Sequence, residues 1–438
     1  MGCTNKSDMY VAVMFPYPSG AGLHLGHYFN YAIIDSYCRW QRYKGHKVFQ
    51  PFGYDAFGLP AENYARSING DPKEVTYSNI EKFRHQMARM NTMYEEKLIT
   101  CEPEYIKWTQ WIFKQLANRG LAYKAYGEVN YCPSCETVLA NEQVIEYKCE
   151  RCGANTELKN LNQWYFRITA YKERLIKNLD KIDYPESTIK QQRAWLENLR
   201  DWCVSRQRKW GCPIPAASTY CGYPIDETDT LDTFVDSSFY YLRYLTNSST
   251  EFLPSESYRQ VDLYVGGNEH ACMHLIYARF IHMFLFDIGI VPVEEPFKKV
   301  IHQGMITFKG SKMGKSKGNA INPDEYNPDE LRMYLMFLGH YFDGGEWDEE
   351  KIVGLTRFLN KMKKWLSIKS GQVIDINLLH NLDRFENSID KNVNAFKFNK
   401  VISGFMEFYN NNKHYSLTPE IANRIIMILK IFAPSFEI

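Results

Sequence analysis

The sequence predicts an α/β protein organised on a parallel sheet whose two halves are separated along the chain, with a small cysteine-bearing insert and a helical C-terminal region. Three observations carry that reading. A strand-like apolar run over residues 10–15 meets a Pro- and Gly-rich loop and then a helical stretch over residues 28–43. The same strand, loop and helix order returns over residues 261–286. Two Cys-x-x-Cys pairs stand between these units. At 438 residues the chain exceeds one core of ordinary size, so two or three domains are expected.

Composition narrows the class. Apolar residues at 45% and charged residues at 24% describe an ordinary globular protein, and 15% aromatics, with 31 Tyr, imply large packed or stacking surfaces. A net charge of +1 excludes nonspecific polyanion binding as the main activity while leaving room for a local basic face. No signal peptide and no run of about 18 apolar residues is evident, so a cytoplasmic protein with no membrane contact is expected. Eleven cysteines, four of them in the paired motifs, favour metal over disulfides in a reducing compartment.

Residues 14–27, Met-Phe-Pro-Tyr-Pro-Ser-Gly-Ala-Gly-Leu-His-Leu-Gly-His, deliver His24 and His27 to a helix start. Unpaired N–H groups and the positive dipole end there suit phosphate oxygens, and two histidines three apart add donors. The plain alternative is a turn and a helix cap. Residues 47–52 form a second strand ending in Gly53-Tyr54-Asp55-Ala56-Phe57-Gly58-Leu59-Pro60, which completes a β-α-β unit. A right-handed crossover places both glycine loops at the carboxyl edge of the sheet. Asp55 would face the same crevice, where a carboxylate pairs with a ligand ammonium, unless it is only a cap.

Residues 78–120 read as helical with a break at Cys101-Glu102-Pro103, and Trp108, Trp111, Ile112, Gln115 and Leu116 recur there at core spacing. Next come Cys132, Cys135, Cys149 and Cys152, whose spacing brings four thiolates around a structural Zn²⁺ with no open position. Residues 163–183 read as strand then helix, and 191–200 as helix. The chain then places Arg206, Arg208 and Lys209 between Trp202 and Trp210, a cluster able to meet phosphates or a nucleic-acid strand, or else a solvated loop.

Residues 229–245 carry Asp232, Asp236, Ser237 and Ser238 in an aromatic stretch. The strand at 261–265 ends in Gly266-Gly267-Asn268-Glu269-His270 before an apolar helix over 273–286, which repeats the opening unit and supplies the other half of one divided nucleotide fold. After a strand region at 298–307, four lysines among three glycines in residues 309–319 make a cationic loop able to close over a triphosphate. Neither Gly-x-x-x-x-Gly-Lys-[Ser/Thr] nor Gly-x-Gly-x-x-Gly occurs. From residue 349 the pattern is helical, with Arg357, Lys361, Lys363 and Lys364 on one side.

Taken in order, these motifs resemble the class I aminoacyl-tRNA synthetases, most closely the leucyl-tRNA synthetases, over most of residues 9–365. His24-Leu25-Gly26-His27 is similar to the first class signature. Lys312-Met313-Gly314-Lys315-Ser316 is similar to the second, with Gly314 where the family usually has serine. The stretches 14–20, 53–63, 232–238 and 266–270 are similar to leucyl motifs, with Phe239 where Trp is usual. The resemblance implies a Rossmann-like catalytic domain in two halves, 1–120 and 191–345, around a zinc-bearing insertion at 121–190. An incomplete anticodon-binding-like helical bundle would occupy 346–438.

It further implies that Phe15, Tyr17, Phe234, Ser237, Tyr240 and His270 line a leucine pocket and that Asp55 holds the α-ammonium. Gly266 and Glu269 would face ATP, Glu269 at the ribose, and His24, His27, Lys312 and Lys315 would act on the triphosphate and its Mg²⁺. The reaction implied is attack of the leucine carboxylate on the α-phosphate, then displacement of AMP by a ribose hydroxyl of tRNA(Leu), with Arg206, Arg208, Lys209 and the zinc insert at the acceptor end. A monomer is expected. The large editing domain usual after the 192–195 helix, the second cysteine insert near Cys221 and the C-terminal module are reduced or missing. The expectation is a leucine-tRNA ligase without an editing site. The other readings are an adenylate-forming enzyme with a non-tRNA acceptor and a silent binding paralogue.

Overall fold

The computed structural model describes residues 8–18, 22–140, 143–215, 227–313, 321–368 and 371–438. Strand β1 (Met9–Val13) is enclosed on both faces, as its unbroken apolar run requires. Helix α1 (Leu25–Tyr43) carries the chain back, and β2 (Val48–Phe49) pairs parallel with β1, closing the expected β-α-β unit. The extended piece read as one strand breaks at Gln50. Its second part, β3 (Pro51–Tyr54), precedes helices α2 (Leu59–Ser67) and α3 (Pro72–Arg89), then pairs parallel with β4 (Glu95–Ile99). The strand β4 corrects the helical reading of 78–120: Glu95 and Glu96 are exposed on an edge, so its alternation of apolar residues is too weak to signal a strand. Helix α4 (Pro103–Ala117) buries Trp108, Ile112 and Leu116 as predicted, while Trp111 and Gln115 of the same set are only half-buried.

The insert is a long antiparallel ribbon of β5 (Ala122–Cys132) and β9 (Glu157–Phe166), with β6 (Thr137–Leu139), β7 (Val144–Ile145) and β8 (Lys148–Cys149) at its tip. Helices α5 (Lys172–Asn178) and α6 (Glu186–Glu197) follow, and only residues 198–201 join α6 to β10 (Trp202–Cys203), which pairs with β9. Strand β11 (Ser205–Arg206) pairs with β12 (Thr230–Leu231) and leads to α7 (Thr233–Ser237) and α8 (Tyr240–Arg243).

The second half-sheet enters as β13 (Leu263–Val265), parallel to β1 with Val13 opposite Val265. After α9 (His274–Asp287), β14 (Val300–Ile301) pairs parallel with β13, so the order is β14-β13-β1-β2. The two halves of the chain therefore form one sheet and meet at β1 and β13. A smaller sheet of β15 (Met305–Phe308), β16 (Ser311–Lys312) and, beyond α10 (Pro328–Phe337), β17 (Gly344–Glu346) leads to the bundle.

That bundle is α11 (Glu349–Ser367), α12 (Ile376–Asn394), α13 (Phe398–Asn412) and α14 (Pro419–Phe432). Leu355, Met362, Leu382, Ile389, Phe405 and Ile425 face its core, while Arg357, Lys361, Lys363 and Lys364 are exposed. The bundle is tied to α1 by Trp40 Nε1 donating to Asp390 at 2.9 Å and Gln41 Nε2 donating to Asn394 at 2.8 Å. Among the described residues no helix is long and apolar enough to cross a membrane.

Candidate active site

The site lies where the two half-sheets join. The Met14 N–H closes the β1 and β13 pair on the Val265 carbonyl at 2.8 Å, and beyond that bond the chains part. Between residues 14–18 and 266–270 opens a cavity of about 1180 Å³. The carboxyl ends of parallel strands at such a junction are where these sheets hold ligands. Phe15, Tyr17, Phe234, Ser237, Tyr240 and His270 all line this cavity, and so do Asp55, His24, His27, Gly266 and Glu269. One space therefore gathers nearly every residue singled out for leucine and for ATP.

Helix α1 starts at Leu25, earlier than its apolar pattern, because His24 is its N-cap. His24 Nδ1 accepts the Gly26 N–H at 3.0 Å, and His27 Nδ1 accepts the His24 N–H at 3.2 Å. This is a reciprocal capping box made by two histidines, whose rings stack at 3.8 Å. With each Nδ1 used as an acceptor, the neutral ring carries its proton on Nε2. The cap and ligand readings thus merge: the pair caps the helix and bears Nε2–H donors beside its positive end.

Asp55 follows β3 and is 1% exposed. Its N–H donates to the Pro16 carbonyl at 3.0 Å, and its Oδ1 accepts the Thr233 hydroxyl at 2.9 Å. Oδ2 is buried with no hydrogen-bond partner among the described residues, and the same holds for Oδ2 of Asp236. Burial drives the Asp55 carboxyl well above the usual carboxylate range, the charge of Asp236 adds to the rise, and Thr233 only partly opposes it. Such a group lacks a cation, and an ammonium in the cavity would supply one.

Aromatic packing shapes the same end. Phe15 and Tyr240 stack at 3.8 Å with an interplanar angle of 2°. Behind them the Tyr240 and Tyr264 hydroxyls lie 2.5 Å apart, and Tyr264 reaches His274 Nε2 at 2.6 Å. Burial holds His274 neutral by driving its pKa well below the usual value. Tyr264, His274 and Met14 also line the cavity and were not singled out from sequence as pocket residues. The available signal was periodicity: Tyr264 precedes Gly266 by one strand repeat, and His274 follows His270 by one helical turn.

The far wall depends on two glycines. A Cβ at Gly266 would lie 2.0 Å from Met14 Sδ, and one at Gly267 would lie 2.0 Å from Glu269 Oε2. Buried His302 fixes this loop, its Nδ1 2.8 Å from the Gly266 carbonyl and its Nε2 2.8 Å from the Thr188 hydroxyl on α6. Of the lysine loop, Lys312 is described in its backbone, opposite Thr307 on β15, and Met313 lines the cavity. Gly314, Lys315 and Ser316 lie outside the described residues, as does Cys221.

The cationic cluster needs correcting. Arg206 is 2% exposed, ion-paired to Asp232 and bonded to the Cys203 and Ser205 carbonyls at 2.9 and 2.8 Å, so it is held in the core at the border of a small crevice and is not a surface cation. Lys209 is exposed. Arg208 borders a small crevice beside the cavity, together with Arg151, Trp210 and Phe57, and its Nε has no partner among the described residues.

The four cysteines of the insert meet at its tip with all sulfurs within 4.8 Å of one another. A tetrahedral Zn²⁺ with bonds of about 2.3 Å spaces its sulfurs at about 3.8 Å, so this donor set fits the metal. Between the last two cysteines, Glu150 and Arg151 reach the wall of the main cavity.

Known proteins match the chain along its length. A family described as class I tRNA synthetases (I, L, M and V) matches residues 3–221, and one described as class I tRNA synthetases (M) matches residues 139–360. A leucine-tRNA ligase of Clostridium kluyveri is 31% identical over 99% of this chain and 85% of its own length. One from Clostridium perfringens is 30% identical over 98% and 85%. The first alignment runs over 702 positions against a chain of 438 residues, so a large part of that relative has no counterpart here. Among solved structures, the Agrobacterium radiobacter K84 agnB2 LeuRS-tRNA-LeuAMS ternary complex has a TM-score of 0.90 at 25% identity, covering 99% of this chain and 84% of that one. Mycobacterium tuberculosis methionyl-tRNA synthetase with methionyl-adenylate shares the fold, with a TM-score of 0.76 at 18% identity over 98% and 92%.

Proposed function

From its membership of the class I leucyl-tRNA synthetases, we infer that this chain is a leucine-tRNA ligase that activates leucine with ATP and charges tRNA(Leu), without an editing domain. The observation that carries the reading is one cavity with two chemically distinct sets of lining groups. Asp55 brings to it a buried carboxylate oxygen with no hydrogen-bond partner among the described residues, and the histidine-capped start of α1 lines the same space.

The residue roles follow from that division. Leucine places its ammonium on Asp55 and its side chain among Phe15, Tyr17, Phe234 and Tyr240, with Ser237 and His270 closing the pocket. Its ionised carboxylate attacks the α-phosphorus of ATP, the bond to the β-phosphate bridging oxygen breaks, and pyrophosphate leaves. No protein nucleophile or base is needed; the protein positions the reactants and stabilises charge. His24, His27, Lys312 and Lys315 serve the phosphates, while Gly266 and Glu269 hold the adenosine. Mg²⁺ accompanies the triphosphate and adds charge neutralisation. A ribose hydroxyl of the tRNA end then attacks the leucyl carbonyl and AMP departs.

Residues 1–120 and 191–345 are the catalytic halves, 121–190 the insertion and 346–438 the bundle. Cys132, Cys135, Cys149 and Cys152 hold a structural Zn²⁺. The acceptor end approaches along Arg208 and Lys209, where Arg151 of the insert also lies. Amino-acid-dependent pyrophosphate exchange tests the activation step: exchange strongest with leucine supports the reading, and exchange absent with leucine or stronger with methionine rejects it.

A further inference from the structure

Helix α3 lies outside the cavity lining, yet one face of it holds the histidine loop from both sides. Asn79 Nδ2 donates to the Pro18 carbonyl at 3.0 Å, and Gln86 Oε1 accepts the Leu23 N–H at 2.7 Å. Phe83 sits between them in the helical repeat, with its ring 6.3 Å from that of His27. These three side chains are buried at 1, 6 and 0% exposure for Asn79, Gln86 and Phe83. Gly22 makes the approach possible: its φ is +125°, and a Cβ there would lie 2.9 Å from Gln86 Oε1.

Gln86 has a second bond. Its Nε2 donates to Asp324 Oδ2 at 3.0 Å, and Asp324 sits in the turn Pro323–Glu325, shortly after Lys315 in the chain. Arg89, one turn along α3, donates to Asp324 Oδ1 at 3.2 Å and to the Tyr326 carbonyl at 2.6 Å. Tyr28 of α1 reaches the same carboxylate at 3.5 Å. A single buried amide therefore joins the segment before His24 to the segment after the lysine loop, with one acceptor and one donor used on opposite sides.

We propose that Gln86 is a positioning residue for ATP, fixing the placement of His24 and His27 by tying Leu23 to Asp324 in the turn Pro323–Glu325. The inference rests on reading the cavity as an adenylating site. The leucine end is built from other contacts, Phe15 on Tyr240 and Asp55 on Thr233 and Pro16, so loss of the link acts on ATP and spares leucine. Misplacing reacting groups by about 1 Å costs on the order of 10²-fold in rate.

Pyrophosphate exchange by the full chain, with ATP and leucine titrated separately, tests this. Activity of the unsubstituted chain tests the adenylating site itself, and only the variants' ratios to it test the link. Gln86→Leu removes both bonds and should lower kcat/KM for ATP roughly 10- to 100-fold, leaving KM for leucine within about twofold. Gln86→Glu keeps the acceptor for Leu23 but sets a carboxylate against Asp324, and should act similarly. Combining it with Asp324→Asn restores a donor opposite an acceptor and should recover most of the ATP effect. The proposal is overturned if the single variants lose thermal stability with unchanged ATP parameters. It also fails if the ATP and leucine parameters worsen together, or if the double variant is no better than the worse single one.

Discussion

Replacing Asp55 by asparagine separates binding from stability in a way few changes at this site would. The carboxylate is 1% exposed, has one oxygen with no hydrogen-bond partner among the described residues and lies near the buried Asp236, for which the same holds. Its pKa is raised above the unfolded value, so the stability tied to its proton is present at low pH and is lost as pH rises through the raised value. Above the usual carboxylate range, burial of this group therefore works against folding, and asparagine removes that titration while an amide oxygen still accepts the Thr233 hydroxyl. The melting temperature of Asp55→Asn should rise.

Leucine binding should move the opposite way. Removing one member of a buried charge pair costs about 2–5 kcal/mol. Asparagine keeps the shape and a dipole, which places the loss near the lower end, about 2–3 kcal/mol, or roughly 30- to 150-fold in kcat/KM for leucine. Pyrophosphate exchange and calorimetric melting on the same preparation measure both effects, with KM for ATP little changed. An Asp55→Asn protein that melts lower, or that binds leucine normally, would refute the assignment of Asp55 to the ammonium.

Other expectations follow from neighbouring features. In the unsubstituted protein kcat/KM for leucine should fall as pH drops into the raised range of the Asp55 carboxyl, and a pH-rate profile of Asp55→Asn should lack that limb. Replacing His24 and His27 together by glutamine should lower exchange by at least about 10²-fold, the scale of one or more lost transition-state donors, and nearly full activity would return the pair to a capping role alone. Elemental analysis should find one zinc per chain, and Cys149→Ser should release it and lower the melting temperature; a metal-free protein of unchanged stability would contradict the structural site. Discrimination against methionine or norvaline rests on pocket contacts worth about 1–3 kcal/mol, so mischarged tRNA should accumulate. Rapid clearance of mischarged tRNA by this chain would contradict the absence of an editing site.

How far the sequence reached depended on whether its signals were local. The strand and helix of the opening unit, their repeat at β13 and α9, and the clustering of the four cysteines are set by short spacings, and each formed as those spacings imply. The convergence of Asp55 with the two histidines also followed, because the carboxyl ends of parallel strands share one edge. Features set by distant partners were not legible. Arg206 looks like a surface cation beside Arg208 and Lys209, and only the return of Asp232, just after β12 at the start of α7, makes it a core residue. The two exposed glutamates of β4 hide an edge strand inside a helical composition. Gln86 is an unremarkable helical residue until Leu23 and Asp324 approach it from opposite sides.

Charging of tRNA(Leu) transcript with radiolabelled leucine and ATP by the 438-residue chain is the decisive assay of leucyl transfer. The account predicts acid-precipitable leucyl-tRNA whose formation depends on ATP and on Asp55. Leucine-dependent pyrophosphate exchange with no charging of any tRNA would contradict it and point the adenylate toward another acceptor.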